Sequence, residues 1–343
     1  MGVGPHNNKA TRSEVAQWGA RKIRLMAECA DIRKKERILK LGMAGLGRMG
    51  ANMALRLMRG GHEIVAYDPN PEAVRGIEGQ GASGVASLDE MVERLALPRA
   101  VWIMAPAGEP TETTISTLHG LLSSGDIIID GGNAYYKDSI RRAEMLGEKG
   151  IRFLDVGTSG GVWGLEEGYC LMVGGDESTY NAMLPGLETL APRGGLGLGK
   201  VGPAGAGHFV KMVHNAVEYG LMQAYAEGFE LMSASDKFDI NLEEVAEIWR
   251  HGSVVRSWLL DLATRALKED PGLEGIRAYV EDTGEGRWAV QESVDLSVPV
   301  PVIAASLQAR FRSRQEEPLG ARLLAALRKG FGGHQVLKSG DGR

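Results

Sequence analysis

Cysteine is almost missing from this chain. Its 343 residues contain two, Cys29 and Cys170, with no CxxC pair and no Cys/His cluster. That excludes a disulfide framework and a structural zinc site, and a reducing cytoplasm is the expected compartment. No cluster of carboxylates and imidazoles has metal-ligand spacing either, so no metal is expected. A surplus of positive charge is missing too. Lys and Arg number 39 against 44 Asp and Glu, a net charge of −5, which argues against a nucleic-acid partner or a polybasic membrane patch. No apolar run reaches the roughly 18 residues that a membrane span needs, and the N-terminus has no secretory apolar core. What the chain holds in excess is glycine, 48 residues. At 43% hydrophobic and 24% charged, it has the composition of a globular protein with room for two domains.

Residues 1–37 are polar and locally basic, as in RKIRLMAECADIRKKER, and precede the first strong strand signal. They read as an N-terminal extension on which function does not depend. From Ile38 apolar strands alternate with helical text: ILKLGMAGLG, HEIVAYD, AVWIMAP, DIIIDGG and IRFLDVG, then YCLMVGG. This order predicts a parallel sheet with helices between its strands. The alternation fades near Gly195, and Ala-, Met- and Glu-rich helical text follows. The expected organisation is an α/β domain over 38–204 and an all-α domain over 205–343, with a ligand cleft at their junction.

GLGRMG, Gly45 to Gly50, follows an apolar strand and opens a helix, the context in which a G-x-G-x-x-G signal carries weight. Gly45 permits the tight turn, Gly47 brings backbone close to a pyrophosphate, and Gly50 allows close helix packing. Leu46 and Met49 belong to the same loop, and the phosphates would sit at the positive helix N-terminus. Asp68, ending IVAYD, is the acid expected about 20 positions on, where a carboxylate accepts ribose hydroxyls and repels a 2′-phosphate. No arginine follows it directly in DPNPEAV. The expected fold is therefore a Rossmann-like α/β N-terminal domain followed by an all-α domain, and the expected cofactor is NAD rather than NADP.

In KMVHNAVEY, Lys211 to Tyr219, helical spacing gathers an amine, an imidazole, an amide and a carboxylate. With Lys211 at 0°, Asn215 falls near about +40°, Glu218 near about −20° and His214 near about −60°, while Val213 and Val217 point away. Lys211 and Glu218 lie about 10 Å apart along the axis, a spacing that lets two proton-transfer groups serve one small polar molecule. A solvated polar stripe has the same spacing. The preceding GPAGAG, Gly202 to Gly207, favours the reactive reading, because glycines let ligand and backbone approach the helix start. A lysine base must be partly neutral near pH 7, which requires its pKa to fall from about 10.4 to about 7–8.

GLGRMGANMA, DGGN, DVGTSGG, GAGHFVKMVHN and EYG, in this order and spacing, resemble the decarboxylating 6-phosphogluconate dehydrogenases from about Lys40 to His334. The wider β-hydroxyacid dehydrogenase superfamily shares the glycine loop, the SGG turn and Gly207, Lys211 and Asn215; His214 and Glu218 narrow the match. The resemblance implies that Lys211 is the base for the C3 hydroxyl and Glu218 the acid that reprotonates the product enediol after decarboxylation. It implies that Ser159, Gly160 and Gly161 hold the substrate carboxylate, with His214 and Asn215 completing the contacts. By the same match, Asn133 lies near both cofactor and substrate, Tyr219 and Arg310 bind phosphate, and Arg328 and His334 form a tail reaching into a neighbouring subunit. A homo-oligomer, at least a dimer, follows.

Two positions depart from that pattern. A lysine and a threonine that the long form of the family uses on the phosphate align with Thr283 and Glu285 in DTGEGRW. Glu285 would repel a phosphate if it pointed inward, and Arg287 would compensate if it did. The helical region is also shorter than in the long form, as in short bacterial forms for which NAD is unsurprising. Two other readings are a non-decarboxylating NAD-dependent dehydrogenase of an unphosphorylated 3-hydroxy acid and a non-catalytic NAD-binding regulatory protein.

Overall fold

The structure, a computed structural model, describes residues 38–337; the N-terminal extension read from the sequence lies outside the described residues. The chain forms two compact units, the first ending at Lys211 and the second beginning at Met212.

The first unit is built on an eight-stranded sheet of order β3-β2-β1-β4-β5-β6-β7-β8. Its strands are β1 (Lys40–Ala44), β2 (Glu63–Tyr67), β3 (Ser83–Gly84), β4 (Ala100–Ile103), β5 (Ile127–Asp130), β6 (Arg152–Ser159), β7 (Cys170–Gly175) and β8 (Leu198–Gly202). Between them run α1 (Arg48–Arg59), α2 (Pro71–Glu78), α3 (Leu88–Arg94), α4 (Glu109–Leu121), α5 (Tyr136–Glu148), a short α6 (Gly164–Glu167) and α7 (Glu177–Leu190). The central strands β4 and β5 are buried throughout, which is why they read as unbroken apolar runs rather than as alternation. One apolar cluster, with Met53, Leu57, Trp102 and Leu187, and a second, with Met91, Ile103, Ile115 and Phe153, make up the core. Helix starts follow local chemistry: Asn70, Ser87 and Asp176 accept from backbone N–H groups of the first turns of α2, α3 and α7, satisfying donors that a helix leaves open. Arg56 does the converse at helix ends, donating to the carbonyls of Thr189, Leu190, Ala191, Leu165 and Glu166.

The sheet departs from the expected parallel arrangement at one edge. β6 and β7 pair antiparallel, from Leu154 with Gly175 to Ser159 with Cys170. The physical reason lies in the connection: Gly160 to Tyr169 is too short for the helical crossover that a parallel neighbour needs, which takes a dozen or more residues. β8 then returns parallel to β7, beyond the point near Gly195 where the sequence alternation fades.

The second unit is helical. α8 (Ala206–Ser233) begins in the first unit and continues into the second, followed by α9 (Leu242–Arg250), α10 (Trp258–Glu269), α11 (Glu285–Asp295), α12 (Pro301–Ser313) and α13 (Leu319–Gly332). Asn241 and Ser257 cap α9 and α10. Ala246, Leu260 and Leu267 form a small buried cluster against Tyr225, Phe229 and Trp249. No described helix is long and apolar enough to cross a membrane.

Candidate active site

In the first unit, strand order reverses between β1 and β4, and ligands of open α/β sheets bind at the carboxyl ends of strands beside such a switch point. A cavity of about 1040 Å³ lies there, lined by Gly45, Gly47, Met49, Gly50, Asp68 and Asn133 among others. Gly45 has φ +100°, a conformation that L side chains rarely adopt. A Cβ on Gly50 would fall 2.0 Å from the Gly45 carbonyl oxygen, whereas one on Gly47 would meet nothing within 4 Å. The loop therefore packs its outer glycines and leaves the middle one facing open space at the N-terminus of α1. Such a cradle fits a dinucleotide pyrophosphate. The Leu46 side chain belongs to the core, and its N–H donates to Asp68 Oδ2 at 2.7 Å. Asp68 Oδ1 accepts from Asn70 N–H at 2.8 Å, so the carboxylate is held at the end of β2. Arg75 lies 3.9 Å from Glu72 on its own helix.

Asn133 has φ +52°, which Asn tolerates better than most residues. Its Nδ2 donates to the Thr158 carbonyl at 3.2 Å and its Oδ1 accepts from Thr158 N–H at 3.0 Å. The amide thus fastens the DGGN loop to the end of β6, where the chain enters Ser159, Gly160 and Gly161. Gly160 and Gly161 both take positive φ, 130° and 52°, and open a 3₁₀ turn over Gly161–Trp163.

Lys211 is 5% exposed. A Cβ on Gly157 would lie 2.4 Å from Lys211 Cβ and 2.7 Å from the Gly207 carbonyl oxygen, so the start of α8 rests directly on β6. Asp155, two residues earlier on the same strand face, fastens that start: Oδ1 accepts from Gly205 N–H at 2.7 Å and Oδ2 from His208 N–H at 2.8 Å. Burial pushes the Asp155 carboxyl above its usual range, against the charge of His208 and these two hydrogen bonds. Sequence reasoning missed this residue, although it stands in DVGTSGG. A carboxylate inside an apolar strand was the available signal, because a buried acid must find donors. His208 Nδ1 lies 2.7 Å from Ser139 Oγ.

Within the second unit, α8 carries His214, Asn215, Glu218 and Tyr219. Asn215 Oδ1 lies 3.1 Å from His214 Nδ1, which is also 3.9 Å from Glu218 Oε2. Asn215 Nδ2 donates to Glu285 Oε1 at 3.0 Å. Glu285 is buried and accepts from Thr283 Oγ1 as well. Tyr219 is buried with its hydroxyl 3.4 Å from Thr283 N, and the Arg310 guanidinium stacks 3.5 Å above its ring. Arg287 turns elsewhere, to Asp282 at 2.6 and 3.0 Å and onto the Phe311 ring. Of the two residues in question, Glu285 faces Asn215 and Arg287 does not. Arg328 and His334 are exposed on and after α13, with no hydrogen bond to the Tyr219 group among the described residues. No group of three or more candidate metal ligands occurs among the described residues.

Comparison with known proteins matches residues 40–201 to the NAD binding domain of 6-phosphogluconate dehydrogenase and residues 207–325 to the 6-phosphogluconate dehydrogenase C-terminal domain. The NAD(+)-dependent, decarboxylating 6-phosphogluconate dehydrogenase of Haloferax volcanii is 43% identical over 304 residues, covering 88% of this chain and all of that protein. Among solved structures, 6-phosphogluconate dehydrogenase of Plasmodium falciparum superposes with a TM-score of 0.74 at 28% identity, over 89% of this chain and 67% of that one. The 3-hydroxyisobutyrate dehydrogenase of Mycobacterium tuberculosis shares the fold, with a TM-score of 0.65 at 23% identity over 85% of this chain and 99% of that one. The glycine cradle at the strand switch, the helix of Lys211 to Tyr219 and these matches across both units place the chain in the 6-phosphogluconate dehydrogenase family.

Proposed function

We propose that this chain catalyses the NAD-dependent oxidative decarboxylation of 6-phosphogluconate to ribulose 5-phosphate and carbon dioxide. The observation that carries this reading is α8: a single helix bears Lys211, buried against β6, and Glu218 two turns on, with His214 and Asn215 between them. NAD, when bound in the glycine cradle, supplies the hydride acceptor. Lys211 takes the proton of the C3 hydroxyl as C3 becomes a carbonyl. Desolvation disfavours the ammonium form of a buried amine, the condition a lysine base requires. The β-keto acid then loses its carboxylate as carbon dioxide, and the carbon that bore it needs a proton, which Glu218 supplies. A hydroxyacid dehydrogenase that stops at the ketone has no use for the second group. Asp68 places a fixed carboxylate at the ribose end of the cradle, which favours NAD over a cofactor bearing a 2′-phosphate.

The active form is a homodimer or larger. α13 leaves Leu319, Leu323, Leu327 and Phe331, spaced four apart, exposed on one face, an apolar stripe that a second copy would cover. Arg328 and His334, on the same segment, would then complete the neighbour's site. The two-cysteine count supports a cytoplasmic location.

One observation favours a second reading. Glu285 is turned inward and Arg287 is tied to Asp282, so an unphosphorylated hydroxy acid fits the local charge. Nicotinamide reduction with simultaneous carbon dioxide detection separates the two. NAD reduced with equimolar carbon dioxide, from the phosphorylated acid alone, supports the proposal; turnover of gluconate instead overturns it. Lys211→Met should lower kcat by about 10³-fold, within the range of general base catalysis. Glu218→Gln should slow the decarboxylating reaction severely; intact turnover in either variant removes the mechanism.

A further inference from the structure

Glu285 comes from 70 residues beyond Asn215 and is 7% exposed. Its carboxylate, when ionised, can only accept hydrogen bonds. Thr283 Oγ1 fills one oxygen and Asn215 Nδ2 the other. An amide whose NH₂ faces a carboxylate must turn its carbonyl oxygen the opposite way. Here that oxygen, Asn215 Oδ1, meets His214 Nδ1 at 3.1 Å. A carbonyl oxygen is also acceptor-only, so Nδ1 must carry the hydrogen. The second group facing Nδ1, Glu218 Oε2 at 3.9 Å, is a carboxylate oxygen and asks for the same proton. One acceptor-only residue therefore dictates, through an amide, which imidazole nitrogen donates.

We propose that Glu285 is a positioning residue that fixes the Asn215 amide and, through it, holds His214 as the Nδ1–H tautomer. Neutral His214 then offers Nε2 as its acceptor nitrogen. The catalytic consequence rests on the function proposed above: an acceptor nitrogen on the reacting face of α8 can take a hydrogen bond from a substrate hydroxyl, whereas the other tautomer would donate there. A residue without an acceptor oxygen at position 285 leaves the amide free to reverse, and the imidazole with it. The inward carboxylate is thus engaged with the helix that carries the reacting groups.

Two variants separate this role from packing. Glu285→Gln keeps an acceptor oxygen for Asn215 Nδ2, while Glu285→Met keeps the bulk and loses the acceptor. The histidine ring ¹⁵N spectrum of the full-length protein, with the His214 signals assigned by their loss in His214→Asn, reads the tautomer without substrate. The expected result is Nδ1–H in the parent protein and in Glu285→Gln, and a mixture in Glu285→Met. In the steady state, Glu285→Met should lose about tenfold or more in kcat/KM, the scale of a hydrogen bond to a charged group. Glu285→Gln should stay within about threefold of the parent. The Glu285→Met loss should vanish when Asn215 is already alanine, since the effect passes through that amide. An unchanged His214 tautomer in Glu285→Met, or losses that simply multiply in the double variant, would overturn the proposal. Failure of the parent protein to turn over 6-phosphogluconate would sink the functional reading instead, and the ¹⁵N spectrum would still decide the role of Glu285.

Discussion

The two units solve the burial problem differently. The first covers both faces of its sheet with its own helices, and two extended apolar clusters result. The second holds one small buried cluster and leaves large apolar side chains in the open: Val254 is 99% exposed, Phe331 79% and Leu231 76%. α13 has no buried residue at all, although its sequence is rich in leucine. A sheet flanked by crossover helices can close its core within one chain, whereas helices with exposed apolar stripes need another surface. The sheet unit closes its core within one chain, and the helical unit leaves open the apolar surface that the proposed dimer would cover.

The sharpest way to break that comparison is to charge the α13 stripe. Leu323→Asp with Leu327→Asp removes two leucines from each copy at about 2 kcal/mol apiece. The dissociation constant of the proposed dimer should rise by roughly six orders of magnitude. Sedimentation should report monomers, and activity should fall with dimer content if, as proposed, Arg328 and His334 complete the neighbour's site. An unchanged sedimentation coefficient would mean that α13 is not where copies meet.

Gly207→Ala should damage the other unit and leave assembly alone. Its Cβ would lie 2.4 Å from the Asp155 carbonyl oxygen and 2.5 Å from that of Met172. These are backbone atoms of β6 and β7, which cannot swing aside as a side-chain tip can. The start of α8 must lift from the sheet, at a cost of about 3 kcal/mol, a fall of about 10 °C in Tm. Sedimentation should not change. A loss of dimer in this variant would show that the two units are not as independently built as their cores suggest.

The same contrast decided how much could be read in advance. Strands β1, β2, β4, β5 and β6 stand out as apolar runs between glycine-rich turns because burial on both faces demands such runs. β8 does not, since four of its five residues are only partly buried at the sheet edge, Val201 is exposed, and Leu198 and Val201 are its sole large apolar side chains. The reversal at β7 was hidden in a loop length, not in the strand itself. At the site, groups fixed by local geometry were legible: the glycine loop ahead of α1, and the polar face of α8 set by 100° steps. Contacts that close over long separations were not. Asn133 meets Thr158 across 25 residues and Asn215 meets Glu285 across 70, and no spacing rule announces either. Whether Glu285 or Arg287 faced inward depended on the path of the chain from α10 to α11.

The smallest expected effect tests a polar anchor of the sheet unit. Glu112 on α4 accepts from Arg141 at 2.9 and 2.8 Å and from Arg142 Nε at 3.0 Å. Arg142, fully buried, also reaches Asp130 Oδ2 at 3.0 Å. Hydrogen bonds from Arg141 in the first place, then from Arg142, hold the Glu112 carboxyl down at about 2 despite partial desolvation. Its folded pKa lies below the unfolded value near about 4.3, so its contribution to stability is complete above that value and disappears as pH falls through about 2. Because the Glu112 side chain is 39% exposed, solvent screening reduces the contribution to about 1 kcal/mol. Glu112→Gln should therefore lower the denaturation midpoint slightly at neutral pH, leaving Arg142 paired with Asp130. The gap from the parent protein should narrow as pH is lowered from about 4.3 toward about 2. A gap that stays constant over that range would assign the effect to packing rather than charge. A gap much larger than about 1 kcal/mol would mean that Asp130 alone cannot compensate Arg142, and that the sheet unit depends on its polar anchors as well as on its apolar core.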